Sequence, residues 1–186
     1  NMTNIYELPA NLPKPVDDGG ASHLVGSVLP DISLHSTSGV EVNLTRLAGT
    51  LVLYCYPMTG RPDIALPTGW DEIPGARGCT PQTCAYRDLN KEMHNLGATI
   101  FGISTQDSAY QQEMAQRLHL PFDILSDSAL HFAKALKLPL MEVAGMTLMK
   151  RVTMIVRDGV IVQTHYPIFP THEDAPRVLQ WLLAHP

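Results

Sequence analysis

The heptapeptide Gly78-Cys79-Thr80-Pro81-Gln82-Thr83-Cys84 constrains this chain more than any other stretch. It places two of the three cysteines five residues apart, where a Gly/Pro-rich loop turns into a helix. Thr followed by Pro marks a helix start. The hydroxyl can cap free backbone N–H groups, and Pro in the first turn gives up no hydrogen bond. Cys79 is therefore expected beside the positive end of a helix, where unpaired N–H groups favour the thiolate, the reactive form of the side chain. In a continuous helix, residues five apart have Cα atoms about 8–9 Å from each other, whereas a disulfide needs less than about 7 Å. A bond between Cys79 and Cys84 would thus require the first turn to unwind, which describes a switch and not a fixed staple.

The rest of the composition narrows the class. At 186 residues the chain suits one domain with a sizeable core. Its net charge of −5, with no basic run, argues against nucleic acid as the main partner. The longest apolar runs, Leu51–Tyr56 and Met146–Met149, are too short to span a membrane. Residues 1–18 are polar and Pro-rich, without the basic and apolar regions of a signal peptide, so a reducing cytoplasm is the expected setting. There, a spaced Cys pair points to catalysis or metal binding. The eight His show no ligand spacing and no second Cys pair exists, so neither a metal nor another cofactor is expected.

Read in order, residues 1–24 form an extended, weakly structured arm, and residues 25–186 a single domain with a long loop at 58–78. Asp31–His35 and Val40–Leu44 alternate apolar and polar residues as a hairpin does. Leu51–Tyr56 is a continuous apolar run, as expected of a central strand buried on both faces, and Cys55 within it reads as core. The loop at 58–78 shows no period, yet its Trp70, Ile64, Leu66 and Ile73 suit a packed loop that shapes the approach to Cys79. Tyr86, Leu89, Met93 and Leu96 recur at helical spacing before Gly97. A strand at Ala98–Ser104, a helix from Asp107 or Ser108, a strand at Phe122–Leu125 and a helix from Ser126-Asp127 to about Leu136 follow. Arg151–Val156 and Val160–Tyr166 flank Asp158-Gly159 as a tight hairpin, and a last helix runs over about Glu173–Ala184. This order predicts an α/β fold with a central mixed sheet, helices on both faces and an N-terminal hairpin.

Four features then resemble one family in register. They are Leu51-Val-Leu-Tyr-Cys-Tyr-Pro57, and Gly78–Cys84 with Arg87-Asp88. Next come Phe101–Ser104 with Leu120–Phe122 and Leu125–Asp127, and last Lys150-Arg151-Val-Thr-Met-Ile155. From about residue 24 onward the chain resembles a peroxiredoxin of the Q-type (bacterioferritin-comigratory) branch, on the thioredoxin fold. The resemblance implies an antioxidant thiol peroxidase in which Cys79 becomes a sulfenic acid on reducing hydrogen peroxide or an organic hydroperoxide. Cys84 would resolve it as an intrasubunit disulfide, and a thioredoxin-like dithiol would recycle it. Arg151 and the helix N-terminus would stabilise charge on Cys79 and on the peroxide, in a monomer or homodimer that needs no cofactor.

One departure stands out. The family motif places Pro seven residues and a hydroxyl residue three residues before the reactive Cys. Here Ala76 holds the hydroxyl position, and Pro57 lies 22 residues upstream. An insertion within the motif accounts for this, with Pro57 and Thr59 retained on its near side and Thr59 folding back toward the thiol. Two other readings use the same residues: a peroxide sensor with little turnover, and a non-catalytic thioredoxin-fold binding module. A thioredoxin-type disulfide oxidoreductase fits less well, because no Cys-x-x-Cys is present.

Overall fold

The computed structural model of the protein describes residues 4–186; the first three residues of the expected N-terminal arm lie outside it. The elements run β1 (Ser33–Ser36), β2 (Glu41–Asn43), β3 (Thr50–Cys55), α1 (Cys79–Asn95), β4 (Ala98–Ser104), α2 (Ser108–Arg117), β5 (Ile124–Ser126) and α3 (His131–Leu136). They continue as β6 (Leu140–Val143), β7 (Met146–Met149), β8 (Val152–Arg157), β9 (Val160–His165) and α4 (Asp174–Ala184). Seven strands form a mixed sheet in the order β2-β1-β5-β4-β3-β8-β9.

The apolar run at 51–56 sits where its composition demands. β3 is central, parallel to β4 and antiparallel to β8, and its alternate side chains feed two cores. Leu51, Leu53 and Cys55 face a cluster completed by α3 and by Leu24 and Leu29. Val52, Tyr54 and Tyr56 face the cluster to which α1, α2 and α4 contribute Tyr86, Met93, Met114, Val178 and Leu182. Helices thus cover both faces, as expected. The Asp158-Gly159 turn joins β8 and β9, with positive φ at both residues.

Several elements differ from expectation. The arm is packed: Ile5, Ala21 and Leu24 are buried, and Leu24 belongs to the main core. The strand expected at 122–125 is Ile124–Ser126. The helix expected to open at Ser126-Asp127 begins at His131. Asp127 instead turns the chain and accepts the N–H groups of Phe132 and Ala133. A second hairpin, β6–β7, escapes the sequence reading because its turn, Ala144-Gly145, places a non-glycine at positive φ. That hairpin gives the loop at 58–78 its platform: Trp70, Ala76 and Leu148 are buried together, with Met58, Leu66, Ile73 and Met146 against them.

Gly102, in the middle of β4, is required by packing. A Cβ there would lie 2.6 Å from Ile124 Cδ1 and 2.8 Å from the Tyr54 ring. Gly102→Ala is expected to destabilise the fold by about 1–3 kcal/mol, read as a lower urea midpoint at unchanged slope.

Candidate active site

Cys79 is the first residue of α1, and Gly78 is its N-cap, at φ 118 and without a side-chain cap. The helix therefore begins one residue before the Thr80-Pro81 signature, and Thr80 caps nothing. Glycine is needed at position 78 for two reasons: its left-handed backbone, and the Thr171 side chain, which a Cβ would strike. The Thr171 hydroxyl donates to the Gly78 carbonyl at 2.7 Å. Gln82 N–H closes the first helical turn onto the same carbonyl at 3.1 Å.

Arg151 enters from the start of β8 and meets Cys79 directly. Its Nη2 lies 3.2 Å from Cys79 Sγ and also donates to the carbonyls of Gly75 (3.1 Å) and Ala76 (2.9 Å). Its Nη1 donates to Gln82 Oε1 at 2.6 Å. Arg151 is 4% exposed and Cys79 3% exposed, so their attraction acts in a poorly solvated space, where it is stronger than in water. The Ala76 carbonyl also lies 3.9 Å from Sγ. Ala76 thus brings a backbone acceptor, not a hydroxyl, to the site.

Thr59 is buried, but it faces elsewhere. Its hydroxyl donates to Gln106 Oε1 at 3.4 Å and its N–H to the same oxygen at 3.1 Å. Its carbonyl accepts from the Tyr110 hydroxyl. Among the described residues no hydrogen bond joins Thr59 to Cys79. Pro57 is buried where the chain leaves β3 for the loop. Cys84 lies within α1, half-buried, and its thiol is pushed up from its ordinary value mainly by burial. All three cysteines are free. With Cys79 and Cys84 inside one unbroken helix, the five-residue spacing holds their Cα atoms about 8–9 Å apart. Cys55 is fully buried, and desolvation pushes its thiol well above the ordinary range, as befits a core residue. Among the described residues no group of three or more His, Cys, Asp or Glu is placed to hold a metal ion.

The small pocket over Cys79 is walled by Ile5 from the arm and by Met58, Leu66 and Trp70 from the loop; Thr80 is the hydroxyl residue that lines it. Buried Arg77 holds this cover in place. It donates to the carbonyls of Asn4 and Glu7 in the arm and to Asp71 in the loop. Tyr6 is held from the other side by Arg117. A second latch lies further along the arm, where Lys150 and the Tyr166 hydroxyl donate to Asp18 and hold its carboxyl well below the usual range. The stabilisation from this latch is present above the ordinary carboxylate pKa and is lost as pH falls through the depressed value. Gln82, Arg77 and the arm contacts are the site features that sequence reasoning missed. Only Gln82 left a signal, three residues after Cys79 and therefore on the same helix face.

A cysteine at a helix N-terminus, an arginine at the start of a neighbouring strand against it, and a second cysteine in the same helix thus come together on a thioredoxin-like sheet. The profile of the Redoxin family matches residues 24–182, and the chain belongs to that family. Among named relatives, it is 33% identical over 142 residues to "Peroxiredoxin Q, chloroplastic" of Oryza sativa subsp. japonica, covering 76% of this chain and 58% of that protein. It is also 38% identical over 103 residues to the protein of that name in Triticum aestivum, covering 55% of this chain and 41% of the relative. The chain thus spans about half the length of these relatives. The crystal structure of peroxidoxin BcpB from Mycobacterium tuberculosis superposes with a TM-score of 0.69 at 25% identity, covering 88% of this chain and 99% of that one. A PrxQ of Xylella fastidiosa shares the fold, with a TM-score of 0.72 at 20% identity over 88% of this chain and 98% of the other.

The Arg77 clamp leads to a direct prediction. Its buried charge-assisted bonds contribute about 1.5–3 kcal/mol to keeping the arm closed, so Arg77→Met is expected to speed alkylation of Cys79 by a maleimide about tenfold to a hundredfold. Site-resolved mass spectrometry reads this, with buried Cys55 as the internal reference.

Proposed function

We propose that this chain is a thiol peroxidase that reduces hydroperoxides through Cys79. One observation carries the reading: Arg151 Nη2 lies 3.2 Å from the sulfur of a cysteine that begins a helix, in a chain of the Redoxin family. The Cys79 thiolate attacks the terminal oxygen of the hydroperoxide, and the O–O bond breaks. The terminal oxygen stays on sulfur as the sulfenic acid of Cys79, and the other oxygen leaves with its substituent as an alkoxide or hydroxide that takes up a proton. Arg151 and the N–H groups at the start of α1 stabilise the negative charge as it moves from sulfur to the leaving oxygen. Cys84 then attacks the sulfenic sulfur, water leaves, and a disulfide forms once the first turn of α1 opens. Burial pushes the Cys84 thiol above its ordinary value, a penalty on the thiolate that unwinding would remove. A thioredoxin-like dithiol reduces the disulfide by exchange, and a reducing compartment such as the cytoplasm suits that cycle.

The test is single-turnover oxidation by one equivalent of hydrogen peroxide, followed by intact mass, with peroxide consumption measured under thioredoxin recycling. Wild type is expected to form a Cys79–Cys84 disulfide and to turn over. Cys79→Ser should lose essentially all consumption, and Cys84→Ser should stop at the Cys79 sulfenic acid. A wild type in which Cys79 does not react would defeat the proposal. Thr59 takes part only if its hydroxyl leaves Gln106, so an undiminished rate in Thr59→Val removes it from the site.

A further inference from the structure

Asp174 is a carboxylate buried to 1% exposure at the start of α4, with no part in the chemistry described above. Its Oδ2 accepts from Gln82 Nε2 at 3.0 Å, from the Tyr86 hydroxyl at 2.6 Å and from the Thr153 hydroxyl at 2.7 Å. Its Oδ1 lies 3.3 Å from His165 Nδ1. Three donors on one oxygen suit an ionised, acceptor-only carboxylate, and the N-terminus of α4 favours its charge.

An acceptor-only neighbour dictates how the Gln82 amide is turned. The NH2 group must face Asp174, so Oε1 must face the opposite way, where it meets Arg151 Nη1 at 2.6 Å. The flipped amide would set a carbonyl against the carboxylate and an NH2 against the guanidinium, two repulsions in place of two hydrogen bonds. Arg151 depends on this acceptor. Its Nε has no partner, and its Nη2 has two hydrogens for three acceptors. Among the described residues, Gln82 is the only one that fixes Nη1.

We propose that Asp174 is a positioning residue for the chemistry of Cys79: by orienting the Gln82 amide, it holds the Arg151 guanidinium against the sulfur. The inference rests on the peroxidase reading and adds to it a residue that touches neither the sulfur nor the peroxide. The chain of contacts runs Asp174–Gln82–Arg151–Cys79 and joins the start of α4 to the start of α1.

The experiment measures the rate of Cys79 oxidation by hydrogen peroxide in a single turnover. Asp174→Asn supplies a donor as well as an acceptor at this position and frees Gln82 to turn. The rate is expected to fall about tenfold or more, as for other losses of preorganised charge stabilisation. Adding Gln82→Glu restores an acceptor-only group against Arg151, with the donor now on the α4 side, and the double variant is expected to recover to within a few-fold of wild type. Thr153→Val removes one donor from Asp174 without touching Gln82 and is expected to stay within about twofold of wild type. A wild-type rate in Asp174→Asn, or a loss that the double variant does not recover, overturns the proposal; the second result would make Asp174 merely structural. If Asp174→Asn fails to fold, Gln82→Met takes its place. It keeps the other partners of Asp174, so it must show the same loss, and a wild-type rate in it overturns the proposal equally. A wild type that does not react at all overturns the peroxidase reading itself, which keeps the two failures distinct.

Discussion

The buried guanidinium of Arg151 is the constraint on which the site depends. A cation taken out of water costs several kcal/mol unless acceptors replace its hydration, and here four groups do so. They come from different parts of the chain. The carbonyls of Gly75 and Ala76 lie at the end of the long loop, while Gln82 and Cys79 lie in the first turn of α1. The path of the loop and the point where α1 begins are thus set by one side chain at the start of β8. At position 76, where a hydroxyl residue is expected, Ala76 meets Arg151 through its backbone oxygen.

In the proposed cycle the first turn of α1 is docked to present Cys79 and opens to release Cys84. Two of its anchors, Thr171 on the Gly78 carbonyl and the Tyr54 hydroxyl on Thr83, are neutral hydrogen bonds, each worth about 1 kcal/mol net; the others, Gln82 to Asp174 and to Arg151, are charge-assisted and stronger. Further along the helix, Tyr86 is fully buried and stacked on Tyr54 at 4.5 Å, and Met93 is fully buried. Those contacts anchor α1 beyond Cys84, so the opening that the proposed cycle needs would be confined to the N-terminal turn.

The cover over Cys79 has a different basis. The loop at 58–78 lacks regular secondary structure beyond a short 3-10 turn at Trp70–Glu72, and it is stabilised by burying Trp70 and Ala76 against the β6–β7 hairpin. The arm then closes over it through Arg77, a residue with no family signature and no helical or strand context. A basic residue in a Gly-rich loop reads as solvated from sequence, because only folding reveals the carbonyls that need it.

Local chemistry was sufficient to read much of this protein from its residues. The apolar run at 51–56 had to be a strand covered on both faces, the spacing of Tyr86, Leu89 and Met93 had to be a helix, and Asp158-Gly159 had to be a tight turn. The place of Cys79 at a helix start was legible because the loop-to-helix junction carries its pattern within a few residues, whereas Arg151 was expected from the family resemblance alone. What only the tertiary structure decided involves groups far apart in the chain. Asp174 is 92 residues from Gln82, and Arg77 is about 70 residues from its partners in the arm. Thr59 turned to Gln106 through contacts that its own neighbours do not specify. Periodicity and turn chemistry report what a residue does with its near neighbours, whereas the pairing of buried polar groups is settled by which distant surfaces the core brings together.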